Sequence, residues 1–251
     1  GGTANKNKQY YFSEFITWKE GTWNLTNLTD NGARQDWRSR LIIAMGMKPV
    51  IVVEVIFAVL ILFFSGLGTI GLALVAFLSI WLRRSWTNAG FIWRNFYGQA
   101  LLKTITYPVL IFLIARITGL SFDTTQFESL RGDPELFLKI LPLLWVASAF
   151  IEEAGFRGYL LHRAASIFGT ERRGMIMAVV AVSVLFGFAH LPGQGWFGVV
   201  DTTISGLIYS VLYLKTRQIW SAVIAHGVFN TFTIGALVFN LDKPVLDLFG
   251  I

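Results

Sequence analysis

Ile219-Trp220-Ser221-Ala222-Val223-Ile224-Ala225-His226-Gly227-Val228-Phe229-Asn230-Thr231-Phe232-Thr233-Ile234-Gly235-Ala236-Leu237-Val238-Phe239, residues 219 to 239, contains no Asp, Glu, Lys or Arg. Roughly 20 apolar residues rising 1.5 Å each cross the ~30 Å hydrocarbon core of a bilayer as one helix. In that solvent a helix is favoured because it satisfies its backbone polar groups internally. The segment therefore predicts a membrane span.

Upstream, apolar runs recur at roughly Pro49 to Phe64, Ile70 to Leu82, Gln99 to Leu120, Glu135 to Phe168, Gly174 to His190 and Trp196 to Leu214. With the run at 219–239 they predict an all-α, polytopic bundle of about seven hydrophobic spans. Turn chemistry separates them at Ser65, Gly66 and Gly68, at Leu191-Pro192-Gly193, and at Lys215 to Gln218. The first two runs are short for a span, so tilt or extension into the flanks is expected. Pro108 is expected to kink the third. The run from Glu135 to Phe168 is longer than a membrane needs and is interrupted only by Pro142, Gly155 and Gly158.

Composition agrees. Of 251 residues 54% are hydrophobic and 14% charged, and the mean hydropathy is +0.58. The net charge is +6, but the cations collect where apolar runs end, at Arg83 and Arg84, Arg172 and Arg173, and Lys215 with Arg217. This is the pattern of cytoplasmic loops rather than of a nucleic-acid surface, so no nucleic-acid partner is expected. By the same rule the N-terminal segment and the loops at 83–97, 163–173 and 215–218 are assigned to the cytoplasmic face, and the loops at 121–134 and 191–195 to the opposite face. Residues 1 to 40 form a polar extramembrane or interfacial segment carrying Trp18, Trp23 and Trp37, and 41 to 251 the transmembrane domain. No cleavable signal peptide is expected, because about forty polar and aromatic residues precede the first apolar run. The chain has no cysteine, which excludes disulfides and thiolate metal sites.

Ionisable groups inside apolar spans are costly, so each is a candidate for function. Ala149-Phe150-Ile151-Glu152-Glu153-Ala154-Gly155-Phe156-Arg157 holds two adjacent carboxylates and an arginine. On a helix Glu153 and Arg157 are four apart and can pair, leaving Glu152, about 100° away, without a cation and suited to take a proton from water. The alternative is an ion-pair knot that only holds helices together. Phe186-Gly187-Phe188-Ala189-His190 ends the next span, where a lone histidine is as compatible with a helix cap as with catalysis. His226 and Asn230, four apart on one face, can donate toward a single point as an oxyanion site requires, or else hydrogen-bond between spans. If the chain turns near Thr170 to Arg172, Glu152 and His190 each lie about 19 residues from the turn and come level on antiparallel helices. That depth, about 29 Å from the basic turn, is deep or toward the far face unless Gly155 or Gly158 kinks the helix. The third histidine, His162, sits beside Arg163 and reads as interfacial.

Taken in order on successive spans, Glu152-Glu153-xxx-Arg157, Phe186-xxx-His190 and His226-xxx-Asn230 resemble the three motifs of the CPBP family (CAAX protease and bacteriocin-processing, Abi) of intramembrane endopeptidases. This family includes the type II CAAX prenyl endopeptidases. The resemblance covers about residues 140 to 235, and Trp86-Thr87-Asn88-Ala89-Gly90-Phe91 faintly resembles a further family segment. It implies hydrolysis of a peptide bond in a membrane-associated, prenylated or hydrophobic peptide. Glu152 and His190 would activate a water, His226 and Asn230 would hold the oxyanion, and Glu153 and Arg157 would support the geometry. It implies a multi-pass protein of a bacterial cytoplasmic membrane whose partners are the bilayer and a peptide or protein substrate in it, and it allows a larger membrane assembly.

Zinc held by Glu152, His190 and His226 and a metal-free glutamate mechanism both suit these groups. The metal-free form is slightly favoured, because no HExxH pair is present. A serine nucleophile is disfavoured, as there is no GxSxG elbow and Thr203-Ile204-Ser205-Gly206 lacks the glycine two places before serine. No GxGD motif suggests an aspartyl protease. Asp201 near the start of its run and Glu54 in the first run are expected to line a cavity or to pair with a cation such as Lys103 or Arg116. Two other classes compete: a non-catalytic membrane scaffold that keeps the family fold, and a small transporter using the buried acid and histidines as a proton relay. The spans show no inverted repeat of the kind many transporters carry.

Overall fold

The computed structural model describes residue 41 and residues 44–83, 85–93 and 125–241. The polar segment at 1–40, the third run at 99–120, Pro108, Lys103 and Arg116 lie outside these. All regular structure among the described residues is helical. α1 spans Lys48–Phe64 and α2 Gly68–Arg83. After a 3₁₀ turn at Thr125–Leu130 come α3, Pro134–Phe168, α4, Arg172–Ala189, α5, Leu191–Thr216, and α6, Ile219–Val238. The last four, of 35, 18, 26 and 20 residues, are each long and apolar enough to cross a membrane. α1 and α2, with 17 and 16 residues, reach only about 24–26 Å. The protein is an all-α integral membrane bundle.

Local chemistry sets the helix ends. Asp133 caps α3 by accepting from the Leu136 amide at 2.8 Å, with Pro134 in the first turn where its missing N–H costs nothing. Glu171 caps α4 by accepting from Gly174 N at 3.1 Å. α5 ends on Arg217 in the left-handed region, and extended Gln218 starts α6. The expected break at Leu191-Pro192-Gly193 lies elsewhere. Helical backbone resumes directly after His190 with Pro192 in its first turn, and the non-helical residue is Gly195, at φ 62°, a value that glycine adopts without penalty. Gly195 thus separates a short helical turn from the long helix, which starts at Trp196 as expected and runs two residues past Leu214 to Thr216.

α3 is the central post. Its residues from Glu152 to Leu161 are all buried, surrounded by α1, α2, α4 and α6, while Val53, Phe64, Leu74, Met177 and Phe232 point outward. Apolar side chains on the outer face are what lipid demands. Two stretches of α3, Leu144–Phe150 and Phe156–Leu160, are wound as wider i→i+5 turns on either side of a normal α turn at Ile151–Gly155. The first follows Pro142, whose ring removes one ladder hydrogen bond. Gly155 and Gly158 keep helical backbone and serve close packing instead. A Cβ at Gly155 would stand 3.1 Å from Leu72, and one at Gly158 3.3 Å from the Ala89 carbonyl.

Glu54 pairs with a cation, as expected, and among the described residues that cation is Arg83, whose Nη1 and Nη2 donate to Oε1 and Oε2 at 3.0 and 2.5 Å. Arg83 is therefore no loop cation. It turns inward at the end of α2, 3% exposed, because a desolvated carboxylate on the neighbouring helix requires a counter-charge.

Candidate active site

Glu152 and Glu153 occupy the α turn between the two wide stretches of α3 and face different partners. Glu153 and Arg157 are fully buried, and Arg157 Nη1 donates to Glu153 Oε1 at 2.9 Å. Arg157 Nη2 donates to the Gly206 carbonyl of α5 at 3.1 Å, and the guanidinium stands 4.5 Å from the Phe186 ring centroid and 5.5 Å from that of Tyr209. This knot ties α3 to α4 and α5.

Glu153 Oε1 also accepts from His226 Nδ1 of α6 at 3.0 Å. A Glu153 oxygen already paired with arginine is an acceptor, so Nδ1 carries the proton and Nε2 faces away from Glu153. His190, at the C-cap of α4, is fixed the same way: its Nδ1 donates to the Phe186 carbonyl at 2.8 Å. The two Nε2 atoms converge on one oxygen, Glu152 Oε2, at 3.8 Å from His190 and 4.0 Å from His226. That oxygen is buried and makes no hydrogen bond. The separations are too long for direct bonds and suit a small bridging group.

Aromatic rings hold the imidazoles: Tyr209 stacks on His226 at 5.1 Å, and Phe186 meets His190 edge-on at 4.8 Å. Side-chain exposure is 16% for His190, 10% for Glu152 and 7% for His226, against none for Glu153 and Arg157. The cluster opens on the His190 side and is sealed behind.

Asn230, one turn beyond His226, donates from Nδ2 to Ser148 Oγ at 2.9 Å, which leaves the other amide hydrogen of that nitrogen for a ligand. Ser148 lies one turn before Glu152, so the amide flanks the cluster. The approach of α6 to α3 depends on Gly227, where a Cβ would stand 2.7–2.8 Å from the Trp145 indole. The same indole donates to Thr231 Oγ1 at 3.1 Å. His162 is half-buried, with Nε2 2.5 Å from Tyr213 Oη. Tyr213 in turn donates to the carbonyl of Asn88, and Ile219 N donates to Gly90 O at 3.0 Å, so residues 85–93 dock on the turn between α5 and α6.

The profile of the type II CAAX prenyl endopeptidase Rce1-like family matches residues 134–232, the stretch that contains this entire cluster. That segment resembles the Rce1-like family. It is also 26% identical over 162 residues to the Bacillus subtilis (strain 168) protein named "Putative membrane peptidase YdiL", an alignment covering 62% of this chain and 57% of that protein. The chain thus spans little more than half of that relative's length. No solved structure matches it significantly.

The carboxylate and two imidazoles are of the kind zinc takes, but a tetrahedral centre would need them about 3.3 Å apart. At 3.8 and 4.0 Å they are wider, and no group of three His, Cys, Asp or Glu among the described residues forms a metal-binding set. Sequence reasoning did not find Ser148, Tyr209 or the Gly206 carbonyl. Of these only Ser148 carried a signal, four residues before Glu152 on the same helix.

Proposed function

We propose that the protein is a membrane endopeptidase that hydrolyses a peptide bond in a membrane-associated, prenylated or otherwise hydrophobic peptide. One observation carries this reading: two imidazole Nε2 atoms, each with its tautomer set from behind, meet a carboxylate oxygen that lacks any hydrogen bond. A bridging water can donate one hydrogen to Glu152 Oε2 and the other to His190 Nε2, which leaves its lone pairs free. Glu152 takes a proton from that water as its oxygen attacks the substrate carbonyl carbon, and His190 Nε2 accepts the water's other hydrogen and aims its lone pair. The carbonyl π electrons move onto oxygen, where the free Asn230 amide hydrogen and His226 Nε2 donate to it. For His226 that role requires the doubly protonated ring, for which Glu153 on Nδ1 is the counter-charge. Collapse breaks the C–N bond, and Glu152 returns its proton to the leaving nitrogen.

Glu152→Gln keeps the shape but cannot accept the proton. Cleavage of a membrane-anchored fluorogenic peptide by the purified chain should fall roughly a hundredfold to ten-thousandfold, with thermal unfolding unchanged. Full activity in that variant would remove Glu152 as the base. A zinc chelator should leave cleavage intact, whereas loss of activity restored by zinc would assign water activation to a metal on Glu152, His190 and His226.

A further inference from the structure

A second buried polar cluster stands apart from the site, where the start of α1 and the ends of α2 and α3 meet. Glu54, Ser79, Arg83, Tyr159 and Arg163 form it. Both Glu54 oxygens are taken, Oε1 by Ser79 Oγ and Arg83 Nη1 and Oε2 by Arg83 Nη2. Arg83 Nη2 also donates to the Met45 carbonyl at 3.0 Å. Arg163 is left over. It is 7% exposed, its guanidinium stands 5.9 Å from the Tyr159 ring centroid, and its Nε is buried without a hydrogen-bond acceptor. The Tyr159 hydroxyl, beside Glu54, is also buried. Two guanidinium groups therefore share one carboxylate, and Arg83 holds that carboxylate on both oxygens.

A desolvated cation without an anion is costly, most of all beside another cation. Arg163 is five residues from the end of α3, about 7–8 Å along the axis, which is headgroup depth rather than mid-membrane. A guanidinium presents a planar fork that fits a phosphate on two oxygens. We propose that Arg163, backed by Arg83, binds a phosphate group at this membrane face, supplied either by the headgroup of an anionic phospholipid or by free phosphate. The neighbouring outer faces of α1 and α2 are apolar and exposed, as lipid contact requires. The inference is independent of the peptidase reading.

The test uses the full chain in nanodiscs of phosphatidylglycerol, of phosphatidylcholine, and of phosphatidylcholine with added inorganic phosphate, read by thermal unfolding and by lipid retention in native mass spectrometry. Phosphatidylglycerol should raise the unfolding temperature of the unaltered protein above that in phosphatidylcholine. Arg163→Gln should remove this increment and weaken retention about tenfold, while Arg163→Lys keeps part of it. Lys139→Gln, which removes an exposed cation elsewhere on α3, should change nothing. Equal protection by inorganic phosphate would support the phosphate site with the free ion as its source. No increment from either phosphatidylglycerol or inorganic phosphate in the unaltered protein, or an undiminished increment in Arg163→Gln, overturns the site, and the first outcome does so whether or not the variants fold.

Discussion

Glu153 shows how the polar residues of the core divide their work. It has no exposed surface, and one of its oxygens serves both Arg157 and His226. Glu153→Gln leaves a buried guanidinium without its counter-charge, a change worth roughly 3–5 kcal/mol when a buried pair is broken. The expected outcome is a lower unfolding temperature in detergent and poorer expression. An unchanged unfolding temperature would mean that the pair does not hold the bundle. The Glu153–Arg157 contact was legible in the sequence, because helix geometry alone puts residues four apart side by side. The link from Glu153 to His226 was not, since it spans 73 residues and depends on how α6 lies against α3. Glu54 was legible only in part for the same reason: the sequence shows that a buried acid needs a cation, but only packing selects Arg83, 29 residues on.

At the scale of elements, α3 and α6 form the joint that sets the site. Hydropathy predicted the extents of both to within a residue, since charge-free apolar length is what a membrane selects. It could not predict the two wide stretches of α3, because an i→i+5 turn uses the same apolar residues as an α turn and differs only in its hydrogen bonds. Equal arms of about 19 residues put Glu152 and His190 level on ideal helices, and in the structure their side chains lie 3.8 Å apart. Where α6 crosses the first wide stretch, Gly227 rests against Trp145. Gly227→Ala is expected to push the helices apart at a cost of roughly 1–3 kcal/mol and to reduce cleavage by displacing His226 and Asn230. Adding Trp145→Leu makes room for the new methyl and should recover part of the stability. Purely additive losses in the double variant would show that the two positions are not coupled.

For the whole molecule, the question is which face of the membrane the cluster serves. α4 rises 18 residues from Arg172 to Ala189, about 27 Å, and His190 caps its far end. Glu152 therefore lies near the face that carries the turn at 191–195, a full span away from the basic residues at 169–173. The cations favour the cytoplasm for that basic end and for Lys215, so the cluster is expected to open toward the opposite face. The absence of native cysteine makes this testable with single introductions. Gly193 and Lys215 are both exposed, at opposite ends of α5. An impermeant maleimide added to intact cells should label Gly193→Cys and not Lys215→Cys, with the reverse in inverted vesicles. A bulky adduct at position 193, three residues from His190, should also slow cleavage more than one at 215. Labelling of Lys215→Cys from outside would invert the bundle and place the cluster at the cytoplasmic face. The basic loops would then lie on the translocated side, an arrangement the charge distribution disfavours but the helix packing permits equally well.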